Sequence, residues 1–182
     1  FKATGDCLII APMFISEKKH IDEIVEKLRT GINNYSKNKK NWFSFMKIGV
    51  PKEIKPQENR IGLTPESVKS LVTNGHEVLV ESNGGYEAGF DNDQYKSAGA
   101  KIINNVEDIF NDVDIIVKVK EPLKNEVKMI KENQIVFTYL HLAAAKELTD
   151  GLIKSKSICI AYETITDDYK RLPFLSPMSA VA

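Results

Sequence analysis

The sequence predicts an α/β fold built on a mostly parallel sheet, and two observations lead to this expectation. From Met46 onward, short apolar segments of strand length alternate with amphipathic segments of helix length. Helix boundary signals separate them: Thr64 and Pro65 are typical of a helix start, and Gly75 is typical of a helix end. Strands joined through helices pair in parallel by right-handed crossovers, so the alternation favours a parallel sheet with flanking helices.

Each element after Met46 follows from its own local pattern. Apolar runs rich in β-branched residues and bounded by turn residues predict strands, and apolar residues at helical spacing predict helices. The first helix begins at Pro65, stops at Gly75 and has an inner stripe of valine and leucine. The remaining expected strands and helices are, in chain order, the strand 48–50 before that helix, the strands 76–81, 101–103, 114–119, 134–140 and 157–162, and the helices 91–98, 106–110, 126–132 and 146–155.

The residues before Met46 have a different organisation. A short strand at 7–10 and a helix from Ser16 to about Tyr35 form a strand–helix tail over 1–35. Residues 36–45 are rich in lysine and asparagine, as expected of a linker. Because the chain begins without a methionine and stops inside an apolar run, we expect two pieces: a tail, and an incomplete catalytic domain over 46–182.

Composition narrows the function classes. The formal net charge is zero, which gives no field that would attract nucleic acid or anionic lipid, and no apolar run reaches the roughly 20 residues of a membrane helix. Cys7 and Cys159 lie in apolar strand-like runs and are expected to be buried thiols. Three histidines without clustered cysteine or carboxylate partners argue against a metal site. We therefore expect a cytoplasmic protein that acts on a small molecule.

The glycine-rich segment 83–89 is not a dinucleotide fingerprint. Its spacing is not G-x-G-x-x-G, and no helix pattern opens at its last glycine. We interpret it as a loop whose glycines supply positive φ angles. The sequence also lacks a Walker-type phosphate loop and a G-x-S-x-G nucleophile elbow.

Three polar residues follow predicted strands and are the candidate site. Arg60 lies in the loop after the first strand, Lys120 directly follows the strand 114–119, and His141 follows the strand 134–140. Each has an ordinary alternative: a solvated arginine, a lysine paired with Glu121, and a structural histidine. Because the carboxyl ends of parallel strands carry the chemistry of α/β sheets, the joint occurrence predicts a site that binds a small anion and moves a proton.

Eight segments after Met46 together form a pattern that covers about three-quarters of the chain: 47–53, 58–65, 75–80, 98–100, 118–122, 138–144, 161–164 and 176–182. On these segments, residues 46–182 resemble the N-terminal part of the alanine dehydrogenase/pyridine nucleotide transhydrogenase family, in its L-alanine dehydrogenase branch. The resemblance implies a Rossmann-like (flavodoxin-like) catalytic domain. Transhydrogenase α subunits share the R-x-x-x-T-P opening but lack the histidine at position 141, and lysine-forming saccharopine dehydrogenases are a more distant alternative.

The resemblance also implies roles for individual residues. Arg60 and Lys120 would hold the carboxylate and keto oxygen of pyruvate or alanine, and His141 would be the acid/base at the carbon that is aminated. Ser179 would contact NAD where the chain enters the cofactor domain. The intact enzyme would catalyse reversible NAD-dependent oxidative deamination of L-alanine, as a homo-hexamer. Without that cofactor domain the fragment is expected to be inactive, and a non-catalytic read-through product is the alternative.

A second resemblance rests on four short segments of the tail: Thr4–Asp6, Leu8–Pro12, Phe14–Ile15 and Ile21–Ile24. On these segments, residues 1–35 resemble the C-terminal end of a class III pyridoxal-phosphate aminotransferase. Lys2 stands where relatives often have a substrate-contacting arginine, and the catalytic lysine of that family would lie upstream. An aminotransferase that makes alanine and an alanine dehydrogenase would be chemically coherent neighbours.

Overall fold

The computed structural model describes residues 45–173 and 175–176, and in this part the chain alternates strands and helices as predicted. The predicted tail strand, the tail helix, Cys7 and Ser179 lie outside the described residues. The strands are β1 (Lys47–Val50), β2 (Glu77–Glu81), β3 (Lys101–Ile103), β4 (Ile115–Val117), β5 (Ile135–Thr138) and β6 (Ile158–Ala161); the α-helices are α1 (Pro65–Thr73), α2 (Asn92–Ser97), α3 (Val106–Asp112), α4 (Lys124–Val127) and α5 (Lys146–Ser155).

The six strands form one sheet in the order β3-β2-β1-β4-β5-β6, and every neighbouring pair is parallel. This is the strand order of Rossmann-type sheets and differs from that of flavodoxin-like sheets. The predicted α/β Rossmann-like class is thereby confirmed. Three short 3-10 turns, Tyr86–Ala88, Leu142–Ala144 and Tyr162–Thr164, were not predicted. Three residues separate the second turn from the end of β5, and the third turn directly follows β6.

Two apolar clusters cover the two faces of the sheet. One contains Val50, Val68 and Tyr95, and the other contains Ile109, Phe110 and Leu152. Strands buried on both faces read as continuous apolar runs, which explains why the sequence pattern located them well. Cys159 is buried in β6, as expected of a structural thiol.

The helix predicted at 126–132 begins earlier, at Lys124, and ends at Val127. Glu126 explains the shift: one of its oxygens accepts the backbone N–H of Leu123 at 2.8 Å, so it belongs to the first turn rather than to the helix start. The predicted strand 134–140 is also shorter and covers Ile135–Thr138. Past its carboxyl end the Leu140 N–H donates to the Glu163 side chain at 3.1 Å.

The helix predicted from Thr64 and Pro65 is confirmed in detail. The Thr64 hydroxyl accepts the backbone N–H of Ser67, and Pro65 occupies the first turn. At the other end Asn74 is the C-cap, and Gly75 follows at φ +90°, the conformation that glycine adopts without a steric penalty. No helix in the described ranges is long and apolar enough to cross a bilayer.

Candidate functional site

The candidate residues follow strands on both sides of a topological switch point. The chain leaves β1 toward β2 on one side, and β4 later joins β1 on the other side. Crevices at such reversals, outside the carboxyl ends of the strands, are the usual ligand sites of open α/β sheets. The loop 51–64 follows β1 and the loop 118–123 follows β4, so these two loops border the crevice.

Arg60 lies in the loop after β1, where it forms a two-point contact with Glu58. Its Nε donates to Glu58 Oε1 at 2.7 Å and its Nη2 donates to Oε2 at 2.6 Å. The hydrogen bond from Arg60 is the largest influence that lowers the pKa of Glu58, and the same bond raises the pKa of Arg60. The side chain remains 40% exposed, so the fork is held in a defined orientation at a solvent-accessible edge.

Lys120 lies in the loop after β4, and its side chain is partly buried. Hydrogen bonds hold both its backbone N–H and its backbone carbonyl. Its N–H donates to Glu53 Oε1 at 3.4 Å, and its carbonyl accepts the Thr138 hydroxyl at 2.7 Å. The pairing with Glu121 that sequence offered as the ordinary alternative does not occur, because Glu121 pairs with Lys55. Within the ranges that the structure describes, the Lys120 ammonium has no hydrogen-bond or ion-pair partner, which suits a group that receives an anion.

His141 follows β5 and has an unusual backbone. Its φ and ψ are 49° and 37°, in the left-handed region that non-glycine residues seldom adopt. The Glu163 carboxylate supports this conformation by accepting the N–H of His141 at 2.7 Å and that of Leu140 at 3.1 Å. The imidazole stacks on the Tyr139 ring, with 5.9 Å between ring centroids, and its Nδ1 lies 3.5 Å from Glu121 Oε2. The ring is half exposed and therefore accessible to a substrate.

Tyr139 connects the arginine and the histidine. Burial raises the pKa of Tyr139, and the nearby charge of Arg60 partly opposes this effect. The charge of Lys120 in turn contributes, after the contacts with Arg60, to the low pKa of Glu58. Arg60 and Lys120 therefore both act on Glu58, and Tyr139 lies near Arg60 while its ring stacks on that of His141. Two cations beside a titratable imidazole can orient a small carboxylate and transfer a proton at its neighbouring carbon.

A buried ionic cluster beneath the site escaped the sequence analysis. Lys118 is 1% exposed; its Nζ donates to Glu126 at 2.7 Å and lies 3.3 Å from Glu53. Burial raises the pKa of Glu53, and the charge of Lys118 opposes this effect. A lysine inside the apolar run 114–119 was the available signal, because a buried lysine requires anionic partners.

The glycine-rich loop 83–89 lacks the strand–turn–helix arrangement of a dinucleotide-binding site. The loop 83–89 contains a 3-10 turn, and helix α2 begins later, capped by Asp91. Gly89 has the predicted positive φ of 86°, but the prediction is wrong for Gly84 and Gly85. At these two positions a side chain is excluded by close packing, since an added Cβ would lie 2.9 Å from the Glu81 carbonyl oxygen and 2.7 Å from the Tyr95 ring, respectively.

No group of three or more His, Cys, Asp or Glu residues within 45–173 and 175–176 is arranged to hold a metal ion. Ser179, the residue expected to contact the nucleotide, lies outside the described residues and stays a prediction.

Comparisons with known proteins give one consistent family. The profile described as "Alanine dehydrogenase/PNT, N-terminal domain" matches residues 49–182. The chain is 53% identical over 137 residues to an alanine dehydrogenase of Staphylococcus epidermidis, covering 75% of this chain and 37% of that protein. It is 52% identical, over the same shares, to alanine dehydrogenase 2 of Staphylococcus aureus. The chain thus spans little more than a third of the length of these relatives.

Solved structures agree with the sequence comparison. An L-alanine dehydrogenase structure superposes with a TM-score of 0.73 at 48% identity, covering 75% of this chain and 38% of the other. A transhydrogenase from Sinorhizobium meliloti superposes with a TM-score of 0.62 at 25% identity, covering 65% and 35%. The fold is common to both, and the sequence lies nearer to the first.

Proposed function

Since this chain belongs to the alanine dehydrogenase/PNT family through that family's N-terminal domain, we propose that it forms the substrate-binding part of an NAD-dependent L-alanine dehydrogenase. The reaction is the reversible oxidative deamination of L-alanine to pyruvate and ammonia. The observation that supports the proposal is the position of Arg60, Lys120 and His141 after the neighbouring strands β1, β4 and β5, at the carboxyl edge of the sheet.

In the proposed mechanism the two cations bind different groups of the substrate. The Glu58 carboxylate holds the planar guanidinium of Arg60 in place. Arg60 orients the substrate carboxylate. The Lys120 ammonium, which has no partner within the described residues, donates to the keto oxygen. It thereby stabilises the charge that develops on that oxygen. His141 transfers a proton at the carbon that is aminated, and its half-exposed ring allows this contact.

NAD would supply the acceptor for the hydride. The loop 83–89 lacks the arrangement of a dinucleotide-binding site, and we therefore do not assign it to NAD. We propose that Ser179 contacts the nucleotide at the entrance to a cofactor domain, and that the 182 residues bind pyruvate without turnover of their own.

The domain organisation is part of the same proposal: an aminotransferase-like tail over 1–35, a linker over 36–45 and the substrate domain over 46–182. The tail rests on its sequence resemblance alone, and the family match begins at residue 49. A cytoplasmic location and a homo-hexameric intact enzyme follow the resemblance to alanine dehydrogenases. The transhydrogenase alternative is disfavoured by His141 and by the lower identity, 25% against 48%.

Pyruvate binding to the 182-residue chain, measured by calorimetry, tests the proposal. We expect Arg60→Lys and Lys120→Met each to weaken binding by about 10- to 100-fold, the equivalent of one charge-assisted hydrogen bond. Lys101→Met is the matched control, because Lys101 pairs with Glu77 at the amino end of β2 and should leave binding unchanged. Equal affinity in all three variants would overturn the proposed roles.

Turnover is the second arm of the test and belongs to the intact protein that contains this domain. NADH oxidation with pyruvate and ammonia should require His141, so His141→Gln should abolish most of the activity while pyruvate binding survives. Full activity in the His141→Gln protein would remove the acid/base assignment.

A further inference from the structure

The carboxylate of Glu121 has one oxygen engaged and one directed at the imidazole of His141. Its Oε1 accepts a hydrogen bond from the Lys55 ammonium. Its Oε2 is buried, makes no hydrogen bond within the described part of the chain, and faces His141 Nδ1 at 3.5 Å. The two residues come from different loops, Glu121 after β4 and His141 after β5, and the contact therefore results from the tertiary fold.

We propose that Glu121 is the positioning residue of His141: it keeps the proton of the neutral imidazole on Nδ1 and leaves the Nε2 lone pair for the substrate. This inference rests on the proposed acid/base role of His141. In a neutral imidazole one nitrogen is a donor and the other an acceptor, and the hydrogen bond made by one determines the state of the other. An ionised carboxylate only accepts, so it selects the N–H at the nitrogen it faces.

The surroundings keep Glu121 ionised. Burial works against its charge, but the hydrogen bond from Lys55, a backbone N–H and the nearby positive charges outweigh burial, and the pKa of Glu121 lies below its usual range. The carboxylate is 18% exposed, so solvent competes little for Oε2. Lys55 therefore holds both the charge and the orientation of Glu121.

The ring of His141 is restricted in the orientation that the contact needs. Glu163 fixes the backbone of His141 in its left-handed conformation, and Tyr139 stacks on the imidazole at an interplanar angle of 25°. A separation of 3.5 Å is longer than an ordinary hydrogen bond. Such contacts are often long in ligand-free sites and shorten when the substrate is bound.

The proton balance of the step is simple. When His141 acts as a base, the bond between the substrate and its proton breaks and an Nε2–H bond forms, which leaves an imidazolium whose charge Glu121 neutralises. When His141 acts as an acid, the Nε2–H bond breaks and the proton returns to the substrate. Glu121 keeps its negative charge throughout and takes no proton.

Nitrogen-15 NMR of the imidazole rings in the full 182-residue chain tests this inference without any turnover. The chain has three histidines, and the signal of His141 is identified by its loss in His141→Gln. In the unmodified chain above neutral pH we expect His141 to carry its proton on Nδ1. In Glu121→Ala we expect that preference to be lost, with Nε2–H becoming the main form, and in Lys55→Met we expect a partial loss.

Glu77→Gln is the matched control, because Glu77 has a similar side-chain exposure of 21% and also pairs with a lysine, but lies at the amino end of β2. It should leave the His141 tautomer unchanged. An Nε2–H tautomer in the unmodified chain, or an unchanged Nδ1–H tautomer in Glu121→Ala, would overturn the inference; if the Ala variant does not fold, the same criterion applies to Lys55→Met. A correct tautomer without turnover in the intact protein would refute the proposed function and leave the pairing standing.

Discussion

The Glu53 carboxylate accepts the backbone N–H of Val119 at 2.6 Å and thereby ties the loop after β1 to the loop after β4 across the switch point. The same oxygen accepts the Lys120 N–H at 3.4 Å. Arg60 lies on the first of these loops and Lys120 on the second, so the bond sets the spacing of the two cations before any substrate arrives. Preorganisation of this kind lowers the cost of binding a small, rigid anion.

The buried cluster below this bond should be costly to disrupt. Replacing Lys118 by alanine leaves the carboxylates of Glu53 and Glu126, which are 2% and 3% exposed, without their shared counter-ion. We expect the free energy of unfolding to fall by about 3–5 kcal/mol, the usual cost of breaking a buried ion pair. Urea denaturation followed by circular dichroism measures it.

Lys101→Ala is the comparison for that experiment. Lys101 also forms an ion pair, with Glu77 at 2.6 Å, but its side chain is 65% exposed. The expected loss is about 0–1 kcal/mol, as for other surface pairs. Similar losses in the two variants would mean that the buried cluster contributes no more than an exposed pair.

The sequence allowed the fold to be predicted because buried parallel strands and capped helices leave local patterns. The run before Lys118 and the Thr64–Pro65 cap are of this kind. The predicted candidates Arg60, Lys120 and His141 were found through their positions after strands. Their partners Glu53, Glu121 and Glu163 were not predicted, because each acts on a residue 20 or more positions away in the chain and no local pattern encodes such a contact.

The ionisation of Glu53 should make the free energy of unfolding depend on pH. Its pKa is raised above the usual 4.5 by burial, so the folded state binds this proton more tightly than the unfolded state does. Its contribution to stability is therefore fully present below about pH 4.5 and is lost as the pH rises through the folded-state pKa. Replacement by glutamine, which keeps the acceptor for Val119, should remove this loss.

Glu58→Gln is the control of opposite sign. Arg60 lowers the pKa of Glu58, so its contribution is present above the usual 4.5 and is lost as the pH falls through the folded-state pKa. Denaturation at a series of pH values measures both effects. Relative to the unmodified chain, Glu53→Gln should gain stability as the pH rises, whereas Glu58→Gln should lose stability. The same direction in both variants would contradict the assignment.

Gly62 allows the loop that carries Arg60 to pass close to the end of β4. A Cβ at this position would lie 2.6 Å from the Val117 carbonyl oxygen, and backbone atoms do not move aside cheaply. Gly62→Ala should destabilise the chain by about 1–3 kcal/mol and weaken pyruvate binding, because it pushes Arg60 away from Lys120.

Gly151→Ala provides the contrast within α5. The nearest atom to an added Cβ there is Val127 Cγ1 at 2.8 Å, the end of a side chain, and alanine gains about 0.5–1 kcal/mol over glycine within a helix. We expect a near-neutral change in stability and unchanged binding. Thermal unfolding and calorimetry on the two variants check both properties, and an equal loss in each would rule out the close approach at Gly62 as the cause.

The backbone of His141 predicts a stability effect that is separate from its chemistry. At φ 49° any residue with a Cβ carries a steric penalty that glycine avoids. His141→Gly and His141→Ala both remove the imidazole, so the difference between them isolates the backbone. We expect the glycine variant to be more stable by about 0.5–1 kcal/mol, the reverse of the order in helices and strands. If urea denaturation finds the alanine variant equally or more stable, Glu163 does not hold this residue in a strained conformation, and the site is less preorganised than its hydrogen bonds indicate.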